Sequence, residues 1–376
     1  MRDNAKVIDL FAGGGGFSLG AARAGFNLSA SVEIDPFANE THHRNFPNTR
    51  HLGLDVSKLT GTHLLAQAGL KKGELTGLIG GPPCQGFSSI GRRDPEDARN
   101  SLFGHFMRLV FQTKPAFFIA ENVPGILDDR NGDLIAAALS KLPKYYRVLT
   151  PTRVRASDFG APTTRTRVFF VGYDPAKCGD LTNSIFVPSV DHTKTTVGVA
   201  LAGLPEVIDP TWQAEDEAWR AVKKMGTDTF FYSKAQSEVP VGVGDPFAME
   251  AFFEFSHTSG CFGTVHAEAI AQRYGRLKAR EKDAVSKSVR LDWNGLCPTL
   301  RAGTGSDKGS YQAVRPIHPS QARVITPREA ARLQGFPDWF ALHGTKWHSF
   351  RQLGNSVSPI VAESVLSAIA PKLRLT

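Results

Sequence analysis

Cysteine is scarce in this sequence, with 4 among 376 residues. The four are Cys84, Cys178, Cys261 and Cys297. None forms a Cys-x-x-Cys pair, so the sequence predicts neither a disulfide framework nor a cysteine-based zinc site. The histidines also lack metal-ligand spacing, and we expect no metal. This use of cysteine is typical of the reducing cytoplasm, where we expect the protein to work.

Long apolar runs are lacking as well. No run approaches the roughly 20 apolar residues that a membrane-spanning helix needs, and the polar start Met1-Arg2-Asp3-Asn4 does not resemble a signal peptide. With 41% hydrophobic and 21% charged residues, the composition is that of a soluble globular protein. The length predicts two domains, or one domain with a large insertion.

Charge is distributed unevenly along the chain, whose net charge is +8. Residues 177–254 hold 6 Lys and Arg against 12 Asp and Glu, whereas residues 273–323 hold 11 against 4. A basic stretch after an acidic one indicates a surface that faces a polyanion. Charge alone slightly favours the alternative, in which the basic stretch is a solvated surface whose charge is balanced by the acidic stretch before it.

The N-terminal residues predict a nucleotide-binding α/β unit. A strand over Lys6–Phe11 leads through a glycine turn into a helix over Phe17–Gly25. A second strand, Leu28–Val32, ends at Glu33, about 20 residues past the glycines, where an acidic residue binds ribose hydroxyls. The glycine spacing differs from the dinucleotide fingerprint, so the turn alone is a weak signal.

The next segment predicts a helix over Pro36–Arg44 and a short strand over Leu52–Asp55. Asp55 at the end of that strand has two equal interpretations, an acceptor for an adenine amino group or an ordinary cap. His42 and His43 on the helix are expected at the surface.

A rigid turn carries the first candidate nucleophile. The apolar run Leu75–Ile79 predicts a buried strand, which ends in Gly80-Gly81-Pro82-Pro83-Cys84. The two prolines fix two φ angles and remove two backbone donors. Taken alone, Cys84 is more often a small buried hydrophobe than a nucleophile. The polar loop Gly86–Asn100 that follows has no apolar period and is a candidate lid.

An acid and two arginines follow on later strands. The strand Ala116–Ala120 ends at Glu121, so Cys84 and Glu121 end successive strands of one predicted sheet and can be neighbours. A nucleophile paired with an acid is a stronger signal than either residue alone. Arg165 and Arg167 lie two apart on another predicted strand and should face one side, ready for an anion or a carboxylate.

From about Pro175 to Arg323 the sequence is turn-rich and loses the α/β rhythm. Its basic part includes a glycine-dense loop over Arg301–Gly309. Thr326 and Pro327 then predict a helix start, as N-cap and first helical residue.

These motifs, as an ordered set, resemble those of DNA (cytosine-5)-methyltransferases of the bacterial modification type. They are Asp9-Leu10-Phe11-Ala12-Gly13-Gly14-Gly15-Gly16-Phe17, Gly81-Pro82-Pro83-Cys84-Gln85, Glu121-Asn122-Val123, Arg165-Thr166-Arg167, Arg328 to Pro337, and Gly354-Asn355-Ser356-Val357. The resemblance covers Val7 to about Gly172 and resumes at about Thr326. It departs at Thr163, where the family usually has Gln.

The resemblance implies an α/β fold. A Rossmann-like, S-adenosylmethionine-dependent catalytic domain would span 1–175 and 326–376, with an inserted, mostly irregular or β target-recognition domain over 176–325. It implies an enzyme that transfers a methyl group from S-adenosyl-L-methionine to C5 of a flipped-out cytosine in a specific duplex DNA sequence, as part of a restriction-modification system. Double-stranded DNA and a separately acting restriction endonuclease would be partners of a monomer in the bacterial cytoplasm, associated with the nucleoid through DNA.

It also implies roles for individual residues. Cys84 would attack C6 of cytosine, Glu121 would contact N3 and the amino group, and Arg167 would hold the base beside Arg165. Expected cofactor contacts are Phe11, Ala12, Gly13, Gly14, Gly16, Phe17, Glu33, Ile34, Asp55, Val56, Pro83, Leu102, Asn355 and Ser356. Expected DNA contacts are Gln85, Ser88, Arg92, Arg93, Thr299, Arg301 and Gly303. Base reading is assigned to about 290–312, with phosphate contact as the alternative for its arginines.

Three other functions compete. An RNA cytosine methyltransferase would share the core, but the roughly 150-residue insertion with its basic part favours duplex DNA. A catalytically silent DNA-binding paralogue is disfavoured because Cys84, Glu121 and Arg167 are intact. A nicotinamide dehydrogenase would leave the Cys84 and Glu121 pair unexplained.

Overall fold

The computed structural model describes residues 5–83, 101–188, 194–226, 228–237, 239–302 and 315–374. Strands and helices alternate through the first part of the chain. They are β1 (Lys6–Leu10), α1 (Gly16–Arg23), β2 (Asn27–Val32), α2 (Pro36–Asn45), β3 (Arg50–Leu52), α3 (Gly61–Gln67), β4 (Gly77–Gly80), α4 (Ser101–Thr113), β5 (Phe117–Asn122), α5 (Gly132–Leu139), β6 (Arg147–Val148), β7 (Thr152–Arg155) and β8 (Thr166–Tyr173).

These strands form one sheet in the order β3-β2-β1-β4-β5-β8-β6, with β7 also paired to β8. Strands β1 to β5 run parallel, whereas β8 runs antiparallel to β5. The ends of β1, β2, β4 and β5 and the start of β8 therefore share one side of the sheet, which we call the carboxyl edge. This arrangement confirms the predicted Rossmann-like α/β fold.

Helices bury both faces of the sheet. Phe117 packs on one face with residues of α1, and the next residue, Phe118, packs on the other with residues of α3 and α4. Successive side chains of a strand point to opposite faces, so an unbroken apolar run such as that of β5 is buried on both sides. The carboxyl edge thus stands on a rigid core.

Two local predictions in this part were wrong. The strand expected over 52–55 is Arg50–Leu52, so Asp55 lies beyond it; its carboxylate accepts a hydrogen bond from the Ser57 backbone N–H at 2.9 Å, which holds a turn. His42 is buried and not at the surface, because its ring packs on Phe46 at 4.4 Å between ring centroids.

The middle of the chain is mostly irregular, as expected. Its regular elements are α6 (Val197–Leu201), β9 (Arg220–Ala221), α7 (Phe230–Tyr232), α8 (Pro246–Phe253), β10 (His257–Thr258) and α9 (Glu268–Arg276), and β9 pairs with β10. The acidic part packs on the first half of the chain. Arg44 of α2 forms ion pairs there with Glu217 and, at 3.1 Å, with Asp245.

Helix α10 (Pro327–Gln334) begins as predicted, since Thr326 and Glu329 form a capping box. The helix is entirely buried, and its arginines bind the middle of the chain. Arg332 pairs with Asp338 at 2.6 Å and donates to the carbonyl oxygens of Ala200 and Ala202. Hydrogen bonds from a buried, ion-paired arginine therefore join α10 to the segment that contains α6.

Asp338→Ala should lower the free energy of unfolding by about 3–5 kcal/mol, because it leaves the Arg332 guanidinium charged, buried and without its carboxylate. Urea unfolding measures the difference. Asp180→Ala is the control, since the Asp180 and Arg147 side chains of its ion pair are 76% and 59% exposed; it should cost at most about 1 kcal/mol. Equal losses in the two variants would contradict the account.

The chain ends with α11 (Lys346–Asn355), which the sequence did not predict, and α12 (Pro359–Ile369). By length and composition alone, the stretch Lys346–Lys372 is long and apolar enough to cross a membrane. However, 72% of its most apolar window is buried in the fold, as in the core helices of soluble proteins. Helix α12 packs on α1, where a Cβ on Gly20 would lie 2.3 Å from that of Ala362.

Candidate active site

A cavity of about 1250 Å³ opens at the carboxyl edge. Its walls come from the ends of β1, β2, β4 and β5, from the start of β8, and from later residues that include 299–302, 354–357 and part of α11. Ligands of open α/β sheets bind at this edge. The volume exceeds the roughly 300–1,000 Å³ of an ordinary small-molecule site, so the cavity has room for more than one ligand group.

Most of the predicted cofactor residues line this cavity. They are Phe11, Ala12, Gly13, Phe17, Glu33, Ile34, Asp55, Val56, Pro83, Leu102, Asn355 and Ser356. Gly14 and Gly16 do not. Of the predicted DNA contacts, Thr299 and Arg301 line it. The remaining predicted residues, Cys84, Gln85, Ser88, Arg92, Arg93 and Gly303, lie outside the described part of the chain.

The glycine turn has conformations that shape one wall. Phe11 and Gly13 have positive φ angles of 58° and 56°, in the left-handed region. Gly16 instead makes room for a neighbouring segment, because a Cβ there would lie 2.0 Å from the Oγ atom of Ser356. The C-terminal segment therefore packs against the glycine turn, and Gly16 has a packing role.

Glu33 joins the glycine turn to the end of β2. Its two carboxylate oxygens accept hydrogen bonds from the backbone N–H groups of Gly13 at 2.9 Å and Asp35 at 2.8 Å. Burial raises the pKa of Glu33. Each carboxylate oxygen can accept a further hydrogen bond, so Glu33 can still bind ligand hydroxyls at the cavity.

Glu121 and Arg167 form an ion pair at the centre of the edge, with 2.8 Å between Oε1 and Nε. Their side chains are 8% and 16% exposed. Burial raises the pKa of Glu121, and the charges of Arg167 and Arg165 oppose that effect. The net direction is upward, which favours the protonated form of the carboxyl relative to an exposed one.

The Gly-Pro-Pro turn passes beside this acid. A Cβ on Gly81 would lie 3.3 Å from Oε2 of Glu121, and the Asn122 amide donates to the Pro82 carbonyl oxygen at 3.2 Å. Gly80 and Ala120 are paired across β4 and β5. Strand pairing thus holds the residues just before Cys84 against the strand end that carries Glu121.

Arg165 differs from Arg167 in its partners. Strand β8 begins at Thr166, one residue after Arg165, and the buried Arg165 guanidinium donates to the carbonyl oxygens of Gly354 at 2.9 Å and Leu300 at 3.4 Å. It thereby ties the start of β8 to two other walls of the cavity. Thr163 accepts a hydrogen bond from the Arg165 backbone N–H at 3.3 Å, which gives the unusual residue at that position a local structural role.

Sequence reasoning missed several cavity residues. Asp9 lies inside an apolar strand, and a polar residue in that setting signals a buried partner. Asp35 lies two residues after Glu33, just past the end of β2. A second carboxylate beyond the end of this strand could have been recognised as a residue of the carboxyl edge. Arg351 and Gln352 lie on the unpredicted helix α11, and no local pattern indicated them.

The chain is similar in sequence to proteins of one known family. The model of the family described as C-5 cytosine-specific DNA methylase matches residues 5–371. The Type II methyltransferase M.XorII of Xanthomonas oryzae pv. oryzae is 39% identical over 374 residues, which cover 98% of this chain and 85% of that protein. The Type II methyltransferase M.DdeI of Desulfomicrobium norvegicum is 30% identical, with coverages of 97% and 88%.

Solved structures resemble the whole chain. One is described as a DNA modification methyltransferase encoded within a prophage (E. coli); it is 47% identical, with a TM-score of 0.87 and coverage of 98% of this chain and 99% of that one. The S. pombe Dnmt2 methyltransferase has a TM-score of 0.61 at 17% identity, with 98% of each chain covered. At that identity the likeness concerns the fold alone.

Proposed function

Because the chain belongs to the C-5 cytosine-specific DNA methylase family, we propose that it transfers a methyl group from S-adenosyl-L-methionine to C5 of a cytosine flipped out of a specific duplex sequence. One observation carries this proposal. The buried Glu121 and Arg167 pair and the Gly-Pro-Pro turn that precedes Cys84 border the same cavity as the glycine turn and Glu33.

The cavity residues suit this cofactor. Glu33 and Asp55 supply carboxylates for ribose hydroxyls and an amino group, and Ile34 supplies an apolar side chain, 65% exposed, to cover a base. Phe11 and Asn355 are among the other cavity residues assigned to the cofactor. When bound, S-adenosyl-L-methionine supplies a methyl group on a positively charged sulfur.

The residues of the edge act on the cytosine. A base inside a duplex cannot reach Cys84, so it must be flipped out at a cost of a few kcal/mol. Cys84 then adds its thiolate sulfur to C6, and Glu121 donates a proton to N3, which relieves the negative charge that builds on the ring. Arg167 holds Glu121 and the base in place.

These additions prepare C5 for the methyl group. With sulfur on C6, the ring becomes an enamine whose C5 is nucleophilic, so covalent catalysis divides one difficult step into easier ones. After transfer, a base takes the C5 proton, the electron pair of that C–H bond restores the C5–C6 double bond, and the Cys84 thiolate leaves C6. The proton on N3 returns to Glu121, and both groups are ready for another turnover.

The domain division follows from the same proposal. Residues 1–175 and 326–376 would form the catalytic domain, since the large sheet lies in the first range and α12 in the second packs on α1. Residues 176–325 would form the target-recognition domain. Arg165 would hold the reading segment at Leu300 against Gly354 of the catalytic domain, as a positioning residue.

The cellular setting is part of the proposal. Relatives are named Type II methyltransferases, which supports a role in a restriction-modification system beside a separately acting restriction endonuclease. The enzyme would act as a monomer. The enzyme would act in the bacterial cytoplasm, associated with the nucleoid through DNA.

Bisulfite sequencing of DNA from cells that express the protein tests the function. We expect 5-methylcytosine at one position of one short duplex sequence, and none in cells that express Cys84→Ser. Unmethylated DNA in both cultures, with the protein present and folded, would contradict the proposal.

Arg301→Ala tests sequence reading. The exposed Arg301 borders the cavity within the proposed reading segment. If its guanidinium binds a base edge, the variant should methylate sites that differ at one base pair and lose about 1–3 kcal/mol of discrimination there. Methylation of a randomised duplex library measures this. A uniform loss over all sites would assign Arg301 to phosphate and contradict base reading.

A further inference from the structure

A chain of buried polar side chains leads from the cavity to the protein surface. Asp9 of β1 accepts a hydrogen bond from the Ser18 hydroxyl at 2.7 Å, and the Ser18 oxygen lies 2.9 Å from Nε2 of His42. Nδ1 of His42 lies 2.9 Å from Nε2 of His51, whose Nδ1 lies 3.2 Å from Nδ1 of the exposed His43. We call these five residues the relay.

The inner end of the relay faces the cavity. Asp9 is 1% exposed and lines the cavity wall. Its Oδ1 atom is buried and has no hydrogen-bond partner among the described residues. A buried carboxylate oxygen without a partner is costly, so this atom calls for a ligand of positive charge or for a proton.

Every member of the relay can pass a proton on. Burial lowers the pKa of His42 far below its usual value and that of His51 to about 4, so both rings are neutral near pH 7. A neutral imidazole has one donor and one acceptor nitrogen. All hydrogen bonds can therefore point toward Asp9 when it is ionised, or all away from it when it is protonated.

Few charges of the described residues face the relay. Strand β2 brings Glu33 toward Asp9, whereas β4 brings no ionisable group and α1 brings only Ser18. The histidines on α2 and β3 face one another. Burial and the nearby Glu33 raise the pKa of Asp9 to about 7, so a positive charge in the cavity would remove its proton.

We propose that Asp9 is a proton-linked selector for the cationic methyl donor, served by Ser18 and the histidines as positioning residues. The inference rests on the proposed function, since it needs a cavity ligand whose charge changes. The methyl donor carries a positively charged sulfur, and the demethylated product does not. Ionised Asp9 favours the donor, and protonated Asp9 tolerates the product.

The proton movement balances along the relay. When the cation binds, Asp9 gives its proton to the Ser18 oxygen, and Ser18 gives its own to Nε2 of His42. His42 passes its Nδ1 proton to Nε2 of His51, and His51 passes its Nδ1 proton to His43, which loses one to water. Once the positive charge has gone, the same steps in reverse return a proton to Asp9.

Isothermal titration calorimetry in phosphate and in Tris buffer tests the selector, because the two buffers differ in ionisation enthalpy and so report proton release. At pH 7, S-adenosyl-L-methionine should release about half a proton per site, and S-adenosylhomocysteine close to none. From pH 6 to 8 the Kd of the methyl donor should fall about tenfold, since ionised Asp9 favours it. Asp9→Asn should remove both effects.

His42→Phe tests the relay itself. It keeps a ring of similar size but removes the donor to Ser18, so the carboxylate of Asp9 is less stabilised and the pH midpoint of donor affinity should rise. His63→Phe, at an exposed position on α3, should leave the midpoint unchanged. Equal proton release by both ligands, or release that persists in Asp9→Asn, would overturn this inference but leave the proposed function intact. A methyl donor that binds at no pH would overturn the proposed function as well.

Discussion

Glu121→Gln should lower kcat for DNA methylation by about 10²–10⁴-fold, the usual contribution of a general acid, and leave the Kd of the cofactor nearly unchanged. The substitution keeps the shape of the side chain and an oxygen beside Arg167, but an amide cannot give a proton to N3. Without that proton, negative charge accumulates on the ring as Cys84 adds. Single-turnover methylation of a duplex substrate measures the loss.

The pH dependence sharpens this test. Burial raises the pKa of Glu121, so the fraction of enzyme with the acid protonated falls as pH rises through that pKa. For the unsubstituted enzyme, kcat should therefore decline on the alkaline side, and the Gln variant should lack this decline. Glu74→Gln, at a site remote from the cavity, is the control and should retain full activity. A Gln variant within about tenfold of full kcat would remove Glu121 from the mechanism.

Cys84→Ser should lose turnover by about 10⁴-fold or more, as enzymes do when a covalent nucleophile is removed. A serine hydroxyl is far less acidic than a thiol and is not ionised near neutral pH. The cofactor and DNA should still bind, because the substitution changes one atom and removes no charge from the glycine turn or from the arginines. Turnover, cofactor titration and DNA binding separate these effects.

The other cysteines supply matched controls. Burial raises the pKa of Cys178 to about 11 and that of Cys261 to about 12, and it raises the pKa of Cys297 as well. Such thiols are protonated near neutral pH and unreactive. Cys178→Ala should keep its turnover within a few-fold. Turnover lost equally in Cys178→Ala and Cys84→Ser would point to a structural effect of both substitutions.

The sequence was sufficient for strands β1, β2, β4 and β5 and for the edge that carries the site. Glu33 and Glu121 each follow a short apolar run, and parallel strands bring such ends together. The helix start at Thr326 and Pro327 was equally readable, because a helix start depends on neighbours in sequence. Local sequence patterns were therefore enough to predict these elements, because the contacts that define them are local or follow from the order of the strands.

Long-range contacts explain what the sequence did not predict. The burial of His42 was not predicted from the sequence, because its partner Ser18 lies 24 residues away, on another helix. Arg165 and Arg167 look equivalent by spacing, yet Arg165 binds carbonyl oxygens of Leu300 and Gly354, more than 130 residues away. No periodicity reports such tertiary partners.

Covalent trapping on duplex DNA that carries 5-fluorocytosine at the target position tests the central claim most directly. Fluorine on C5 cannot leave as the proton does, so the bond between Cys84 and C6 should persist after methyl transfer. With S-adenosyl-L-methionine present, the enzyme should form a complex that survives denaturation, with the adduct on the Cys84 peptide, and Cys84→Ser should form none. The account is contradicted if the folded enzyme forms no such complex, or if Cys84→Ser forms it equally well.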